Sequence, residues 1–389
     1  MPNLGHGVFV APYHPLDENP TMCIHRDFEL MEWLDKLGFD EAWIGEHHSA
    51  GFETICSPEL FIAAAAERTR RLRFGTGVIS LPYHNPLMVA NRIIQLDHMT
   101  RGRVSFGFGP GLLASDAFQL GIDTNKQREM MTEALDVILR LLDGETVTEK
   151  TSWYNLVEAR AHLLPYTLPR PEIAVASSAT PSGGKIAATY GLSMLCVAAA
   201  SPTGFNALST NWQIACEIAA ERGTTMDRQR LRVVAPIHIA ETREKARANC
   251  EWGFMRYINY YNNHDQRYTI PAGEDPVEWF CANGYGVVGT PDDAIELIQR
   301  LLDQQGGFGY FTQLIHDWAD WEETKRSHEL YARYVMPHFS GANANRIASY
   351  EWNSAHKSDL QDSKSRATKL AFDQFESERK QKASQAVAN

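Results

Sequence analysis

Residues 41–80 read EAWIGEHHSAGFETICSPELFIAAAAERTRRLRFGTGVIS, and the rhythm of this stretch decides the fold. "EAWIG" (Glu41 to Gly45) is a short, mostly apolar run that reads as a buried strand. "SPELFIAAAAERT" (Ser57 to Thr69) reads as a helix, with Ser57 as its N-cap and Pro58 at the first helical position. "LRFGTGVIS" (Leu72 to Ser80) is a second strand. Strand, helix, strand in this order implies parallel pairing, with the helix crossing over outside the sheet.

The same unit recurs on both sides. Upstream, "GVFVAP" (Gly7 to Pro12) is a strand, and "RDFELMEWLDKLG" (Arg26 to Gly38) is a helix with Phe28, Met31, Leu34 and Leu37 at helical spacing. Downstream come the helix "NPLMVANRIIQLDHM" (Asn85 to Met99) and the strand "RVSFGFG" (Arg103 to Gly109). Four more strand signals follow, "EIAVA" from residue 172, "LSMLCVA" from 192, "LRVVAPIHIA" from 231 and "GYFTQLI" from 309, with helical stretches between them. Eight such units favour an α/β chain folded as a TIM (β/α)8 barrel. A doubly wound sheet is the alternative, but the G-x-G-x-x-G fingerprint after a first strand is missing.

Two segments interrupt the rhythm. "ETVTEKTSWYNLVEARAHL" (Glu145 to Leu163) has the short alternation of a hairpin inserted after the fourth unit. Tyr257 to Gly289, rich in Tyr, Asn, Gly and Pro, reads as a long loop before the eighth strand. Its Tyr260, Tyr261, Tyr268, Trp279 and Phe280 would suit an apolar lid. The barrel is expected over residues 1–340. Residues 341–389, with mixed charges and few apolar side chains, form a C-terminal extension: a surface arm with a frayed end, or an arm embracing another subunit.

Composition narrows the function classes. The 389 residues are 44% apolar and 22% charged, the profile of an ordinary globular chain. Lys and Arg total 37 against 48 Asp and Glu, a net charge of −11, which argues against nucleic acid or an anionic membrane as partner. The six cysteines are scattered without a C-x-x-C pair, so neither a zinc knuckle nor a disulfide framework is expected, and the expected location is cytoplasmic. The N-terminus "MPNLGHGVFV" lacks a signal-peptide pattern, and no run approaches the ~18 apolar residues of a membrane span.

Several polar groups fall at expected C-terminal strand ends, where a barrel carries its chemistry. In "GEHH", adjacent residues on extended backbone point to opposite faces, so His47 and His48 do not converge on one ion, and no metal site is expected. A histidine there, with an unperturbed pKa of ~6.5, suits proton exchange at neutral pH. Glu46 either orients a ligand or the histidine, or caps a neighbouring loop. "ASSATPSGGKIAA", after the fifth strand, places Ser178, Thr180, Ser182, Gly183 and Gly184 where a helix N-terminus offers free N–H groups. A phosphate site and a plain Ser-capped helix both fit. His14 in "APYHP" and Tyr83 and His84 in "LPYHNP" either contact substrate or pack their loops.

The stretches "LGFDEAWIGEHH", "SPELFIAAAAERTRRLRFGTGVISLPYHNP", "QLDHMTRGRVSFGFGPG" and "EIAVASSATPSGGKIAATYGL", in that order, resemble the bacterial luciferase-like flavin monooxygenase family. Within it they are most similar to its limonene monooxygenase-like and diketocamphane monooxygenase-like members. The resemblance runs from the first strand to about Phe339 and implies a TIM barrel. It also implies a two-component enzyme: reduced FMN (FMNH2) from a separate NAD(P)H:flavin reductase reacts with O2 to a flavin C4a-peroxide. One oxygen atom then passes to a small hydrophobic substrate of terpenoid or cyclic ketone type. Homo- or hetero-oligomers are implied as well.

By the same resemblance His47 is the catalytic histidine and His48 a structural neighbour. Glu46, Gly109 and the Ser178–Gly184 loop belong to the FMN pocket, and the Gly77–Val78 bond matches a non-proline cis peptide under the flavin ring. Luciferase itself has a Cys-Arg pair where this chain has Gly109 and Pro110. An arginine for the phosphate is missing there, so the charge must be met elsewhere or by the helix end alone. Luciferase also has a histidine where this chain has Asn85, and that role does not carry over. The alternatives are a deazaflavin-dependent hydride-transfer oxidoreductase on the same barrel and a non-catalytic flavin-binding relative.

Overall fold

A ring of parallel strands closes on itself in the computed structural model, which describes residues 4–178, 180–265 and 267–387. Ala179 of the expected phosphate loop, the first residues of the barrel span and the last two of the C-terminal extension lie outside these. The barrel strands are β1 (Gly5–Val10), β2 (Glu41–Ile44), β3 (Arg73–Ser80) and β4 (Val104–Gly109). The chain then makes the antiparallel hairpin β5 (Val147–Lys150) and β6 (Asn155–Ala159), as the alternation of that segment predicts. The ring resumes with β7 (Ile173–Ser177), β8 (Ser193–Cys196) and β9 (Leu231–Ile239). After the short β10 (Val287–Gly289), which pairs with the tail of β9, β11 (Tyr310–Leu314) completes it by pairing with both β9 and β1.

Helices follow the strands. α1 (Pro20–Leu37), α2 (Pro58–Arg68), α3 (Pro86–Thr100), α4 (Ala114–Gln119) and α5 (Gln127–Leu142) serve the first half. α6 (Ser182–Tyr190), α7 (Pro202–Glu221), α8 (Arg243–Cys250), α9 (Phe254–Asp265), α10 (Pro276–Ala282), α11 (Pro291–Gln305), α12 (Trp321–Leu330) and α13 (Met336–Ser340) serve the second. α1 starts a turn and a half before the apolar spacing suggests, because Asn19 caps it by accepting from the N–H groups of Thr21 and Met22, with Pro20 at the first position. None of the described helices is long and apolar enough to cross a membrane.

The strand period of two sorts the core into two layers. Val8, Val10, Ala42, Ile44, Phe74 and Phe106 face outward under the helices. Phe9, Ala11, Trp43, Ala174, Leu195 and Val234 fill the barrel interior. Gly75 is required beside Trp43, since a Cβ there would collide with the indole. At the N-terminal end, Arg232 is buried between Glu41 (2.9 Å) and Glu172 (2.8 Å), with its guanidinium 4.8 Å from the Trp43 ring centre and 4.6 Å from that of Tyr310. A paired, stacked cation seals that floor, which leaves the C-terminal mouth for chemistry.

The segment expected as a long loop is mostly regular. Phe254, Tyr257, Ile258 and Tyr261 recur at helical spacing in α9, Asp275 caps α10 by accepting from Glu278 N–H, and β10 lies in the same stretch. Its high Tyr and Asn content disguises this period. Phe254, Tyr257, Tyr260, Tyr268 and Phe280 pack with Tyr13 and Trp318 into an aromatic core at the ends of β1 and β11. The expected lid residues are therefore cemented together.

Residues from Gly341 form a second unit. It is helical, α14 (Ala344–Ala355) and α15 (Lys357–Val387), being rich in the helix formers Ala, Lys, Glu and Gln. Apolar side chains such as Ile347, Tyr350, Trp352 and Phe372 are exposed on it.

Candidate active site

Just past β2, Glu46 and His48 bond to each other while His47 turns to other partners. The buried Glu46 carboxylate accepts three hydrogen bonds, from Ser80 N–H (2.6 Å), His84 Nε2 (2.6 Å) and His48 Nε2 (3.0 Å). Arg92 Nη2 lies 3.3 Å from His84 Nδ1, so the arginine donates there and His84 carries its proton on Nε2. Burial pushes the Glu46 carboxyl upward, but the bonds from His48, His84 and Ser80 outweigh it and hold the group below its ordinary range. The Glu46 bond in turn raises His48.

Glu46, His48 and His84 thus converge closely enough to share a metal ion. The sequence reading tested His47 with His48 and missed this grouping, in which His84 replaces His47. The distances and the His84 tautomer describe a closed hydrogen-bond network around one carboxylate. Tyr83 sits edge-on to His48 at 5.9 Å, and its hydroxyl accepts from Gln127 Nε2 at 3.2 Å. Gln127 also donates to the Pro110 carbonyl at 2.9 Å, tying the loops after β3 and β4 together.

His47 faces a different pair. Its Nδ1 lies 3.2 Å from Asp116 Oδ2 and its Nε2 3.2 Å from Glu53 Oε2. Asp116, on α4, also accepts from His48 N–H at 3.1 Å and from the Ser49 hydroxyl. Burial alone would lower the His47 pKa, but Glu53 and Asp116 overcome it and raise it, favouring the imidazolium. The same contacts lower Asp116 against its own burial penalty. Neither carboxylate was singled out from sequence. The one available signal is position: Glu53 lies in the loop after β2, and Asp116 in "GPGLLASDAF" just after β4.

The expected cofactor residues lie at neighbouring strand ends. The Gly77–Val78 bond is cis. Gly109 lies against it, and a Cβ there would come within 2.6 Å of Val78 Cγ2. After β7, Asn211 of α7 donates to the carbonyls of Ser178 (2.9 Å) and Thr180 (3.1 Å), and the Thr180 and Ser182 hydroxyls are 2.9 Å apart. This loop leads into the N-terminus of α6 beside a cavity of about 360 Å³ lined by Arg128, Thr180, Pro181, Ser182 and Lys185. Lys185 is the one cation of the loop motif itself, and Arg128 of α5 adds a second from outside it. The close approach that Gly183 and Gly184 allow is of α6 to its neighbours: a Cβ on either would lie 2.6 Å from a carbonyl oxygen, of Ala176 or Asn211 respectively.

His14 does not join these groups. Its Nε2 is 3.0 Å from Asp27 and its Nδ1 3.3 Å from Asp317, which also binds Arg26 at 2.9 Å. This network ties the loop after β1 to the loop after β11, so His14 serves loop packing here. A wider groove of about 780 Å³ lies on the outer face among Phe205, Ile295, Arg300 and His338, away from both clusters.

Comparison with known proteins agrees with this geometry. The sequence profile of the luciferase-like monooxygenases matches residues 6–307. The chain is 44% identical over 374 residues to limonene 1,2-monooxygenase of Rhodococcus erythropolis, covering 96% of each chain. It is likewise 44% identical over 362 residues to 4-hydroxyprotoasukamycin monooxygenase of Streptomyces nodosus subsp. asukaensis, covering 90% of this chain and 96% of that one. Among solved structures, the oxygenating constituent of 3,6-diketocamphane monooxygenase from Pseudomonas putida, in complex with FMN, superposes with a TM-score of 0.73 at 25% identity, covering 86% of this chain and 98% of that one. With a closed parallel barrel, a histidine cluster at its mouth and a basic, hydroxyl-rich cradle at a helix N-terminus, the chain belongs to the luciferase-like monooxygenase family and is a flavin-dependent monooxygenase.

Proposed function

We propose that the chain is the oxygenating component of a two-component system. It takes reduced FMN from a separate NAD(P)H:flavin reductase and inserts one atom of O2 into a small hydrophobic substrate, of terpenoid or cyclic ketone type. The observation that carries the choice of FMN is the similarity to the diketocamphane enzyme in complex with FMN, with the start of α6, where Thr180, Ser182, Arg128 and Lys185 border one cavity of chiefly apolar wall, as the place for its phosphate. Hydroxyls, helix N–H groups and two cations match a terminal phosphate. The substrate class is supported by the similarity to limonene 1,2-monooxygenase and to the diketocamphane enzyme.

When bound, the reduced flavin supplies the electrons that activate dioxygen. One oxygen atom enters the substrate and the other leaves as water, so the site needs a held proton. His47, flanked by two carboxylates, holds one at the barrel mouth. The aromatic core around Tyr257 and Trp318 keeps bulk water from that end. Glu46 holds His48 and His84 on the opposite face of the same strand end.

Anaerobic titration with reduced FMN, reduced riboflavin and a reduced deazaflavin tests the reading. Reduced FMN is expected to bind at least ~10-fold more tightly than riboflavin, the worth of about one charge-assisted phosphate contact. Limonene or a cyclic ketone should then consume oxygen in step with product. Preference for the deazaflavin, with substrate reduced and no oxygen uptake, would replace this reading by hydride transfer.

A further inference from the structure

Glu53 is held through its loop backbone and through one of its two carboxylate oxygens. The loop that carries it is sewn to the loop after β1: Tyr13 and Glu53 form an antiparallel bridge, His14 N–H donates to Phe52 O at 2.8 Å, and Thr54 N–H donates to Pro12 O at 3.1 Å. Its side chain is buried, with Oε1 accepting the Tyr260 hydroxyl at 2.7 Å; Oε2 accepts no hydrogen bond from the described residues and lies 3.2 Å from His47 Nε2, within ion-pair distance. A buried carboxylate is costly unless its charge is met. The cation facing Oε2 is the imidazole of His47.

We propose that Glu53 is a positioning residue that, opposite Asp116, clamps the His47 ring by its second nitrogen, and that Tyr260 on α9 sets the Glu53 carboxylate for this task. The proposal rests on the reading of His47 as the proton-holding group of the oxygenation. A neutral imidazole has one N–H and one lone pair, so it satisfies one carboxylate and turns a lone pair on the other. Two carboxylates on opposite ring nitrogens are both satisfied only by the imidazolium, with its ring plane fixed. The groups against His47 are Glu53 from the same loop and Asp116 from α4; the charges of Glu46 and His48 act on it from the other side of its strand end, and Tyr260 of α9 reaches it through Glu53. Through Tyr260, the aromatic core and the proton-bearing histidine form one mechanical unit.

Histidine-labelled full-length protein, without flavin or substrate, is titrated by NMR, with the His47 signal assigned by its loss in His47→Gln. Glu53→Gln is expected to lower the His47 midpoint by ~1 unit or more. Tyr260→Phe should lower it by less, and Glu53→Asp should restore part of the shift. With the reductase system, the basic limb of the kcat profile should move to lower pH by the same amount, with KM little changed. A midpoint and basic limb unmoved in Glu53→Gln would overturn the clamp, and if that variant does not fold, an unmoved midpoint in Tyr260→Phe would overturn the role of Tyr260 while Glu53→Asp still reports on Glu53. The two readings fail separately. A protein that titrates as expected but does not oxygenate contradicts only the functional reading; one that oxygenates with an unmoved midpoint contradicts only this one.

Discussion

Glu46, just past β2, accepts the Nε2 proton of His84, beyond the end of β3, at 2.6 Å. The same carboxylate takes His48 Nε2 and Ser80 N–H, so one buried charge organises two loops of the barrel mouth. Glu46→Gln replaces an all-acceptor group by an amide whose NH2 must face a donor. The expected cost is about 2 kcal/mol, the scale of a hydrogen bond to a charged group, read as a lower urea midpoint with an unchanged slope. The His48 pKa, raised chiefly by its Glu46 bond, should fall in this variant.

Arg128 and Lys185 flank the α6 cradle from two different helices, and both side chains are exposed. Arg128→Ala or Lys185→Ala is expected to weaken FMN binding about 5- to 10-fold, with little change for riboflavin, as befits a solvent-screened phosphate contact. The loss should shrink as salt is added. Equal loss for FMN and riboflavin would place the phosphate elsewhere.

His14 should make stability fall on the alkaline side. Burial pulls its pKa down, but Asp27 and Asp317 outweigh this and push it up to about 9. A raised histidine contributes in full below its unfolded pKa of ~6.5, and the contribution is lost as pH rises through the folded value. Wild type should therefore lose stability between pH 6.5 and about 9 by up to ~1.4 kcal/mol per unit from this group. His14→Gln should be flatter over that window in urea denaturation.

A second set of histidines works at acid pH. Burial lowers His6 and His238 to about 4 and His328 to about 3. Each is neutral when folded and takes up a proton more readily when unfolded, so stability is lost as pH falls from ~6.5 toward 4. His328→Gln should lessen the steepness of that fall, measured by denaturant midpoints at pH 6.5, 5.5 and 4.5.

The barrel was legible because its strands carry their pattern locally. Val8, Val10, Ala42, Ile44, Phe74 and Phe106 sit in short β-branched or aromatic runs bounded by helices, and a single sequence shows that directly. α9 was hidden because Tyr257 and Tyr261 sit among asparagines that lower its apparent apolarity, and β10 because it is only three residues long. The α6 cradle was half legible: its hydroxyls are contiguous, but Arg128 reaches it from α5. Glu53 and Asp116 were illegible for a deeper reason. Each is an ordinary loop carboxylate until tertiary structure brings both to one imidazole.

The most direct measurement mixes the anaerobic complex of this protein and reduced FMN with oxygenated buffer in a stopped-flow instrument, with and without limonene or a cyclic ketone. Oxidised FMN is expected to appear markedly more slowly than from free reduced FMN. Substrate should change that rate while product gains one oxygen atom, and His47→Ala should erase the delay. Oxidation as fast as that of free flavin, with no product, would contradict the oxygenating role.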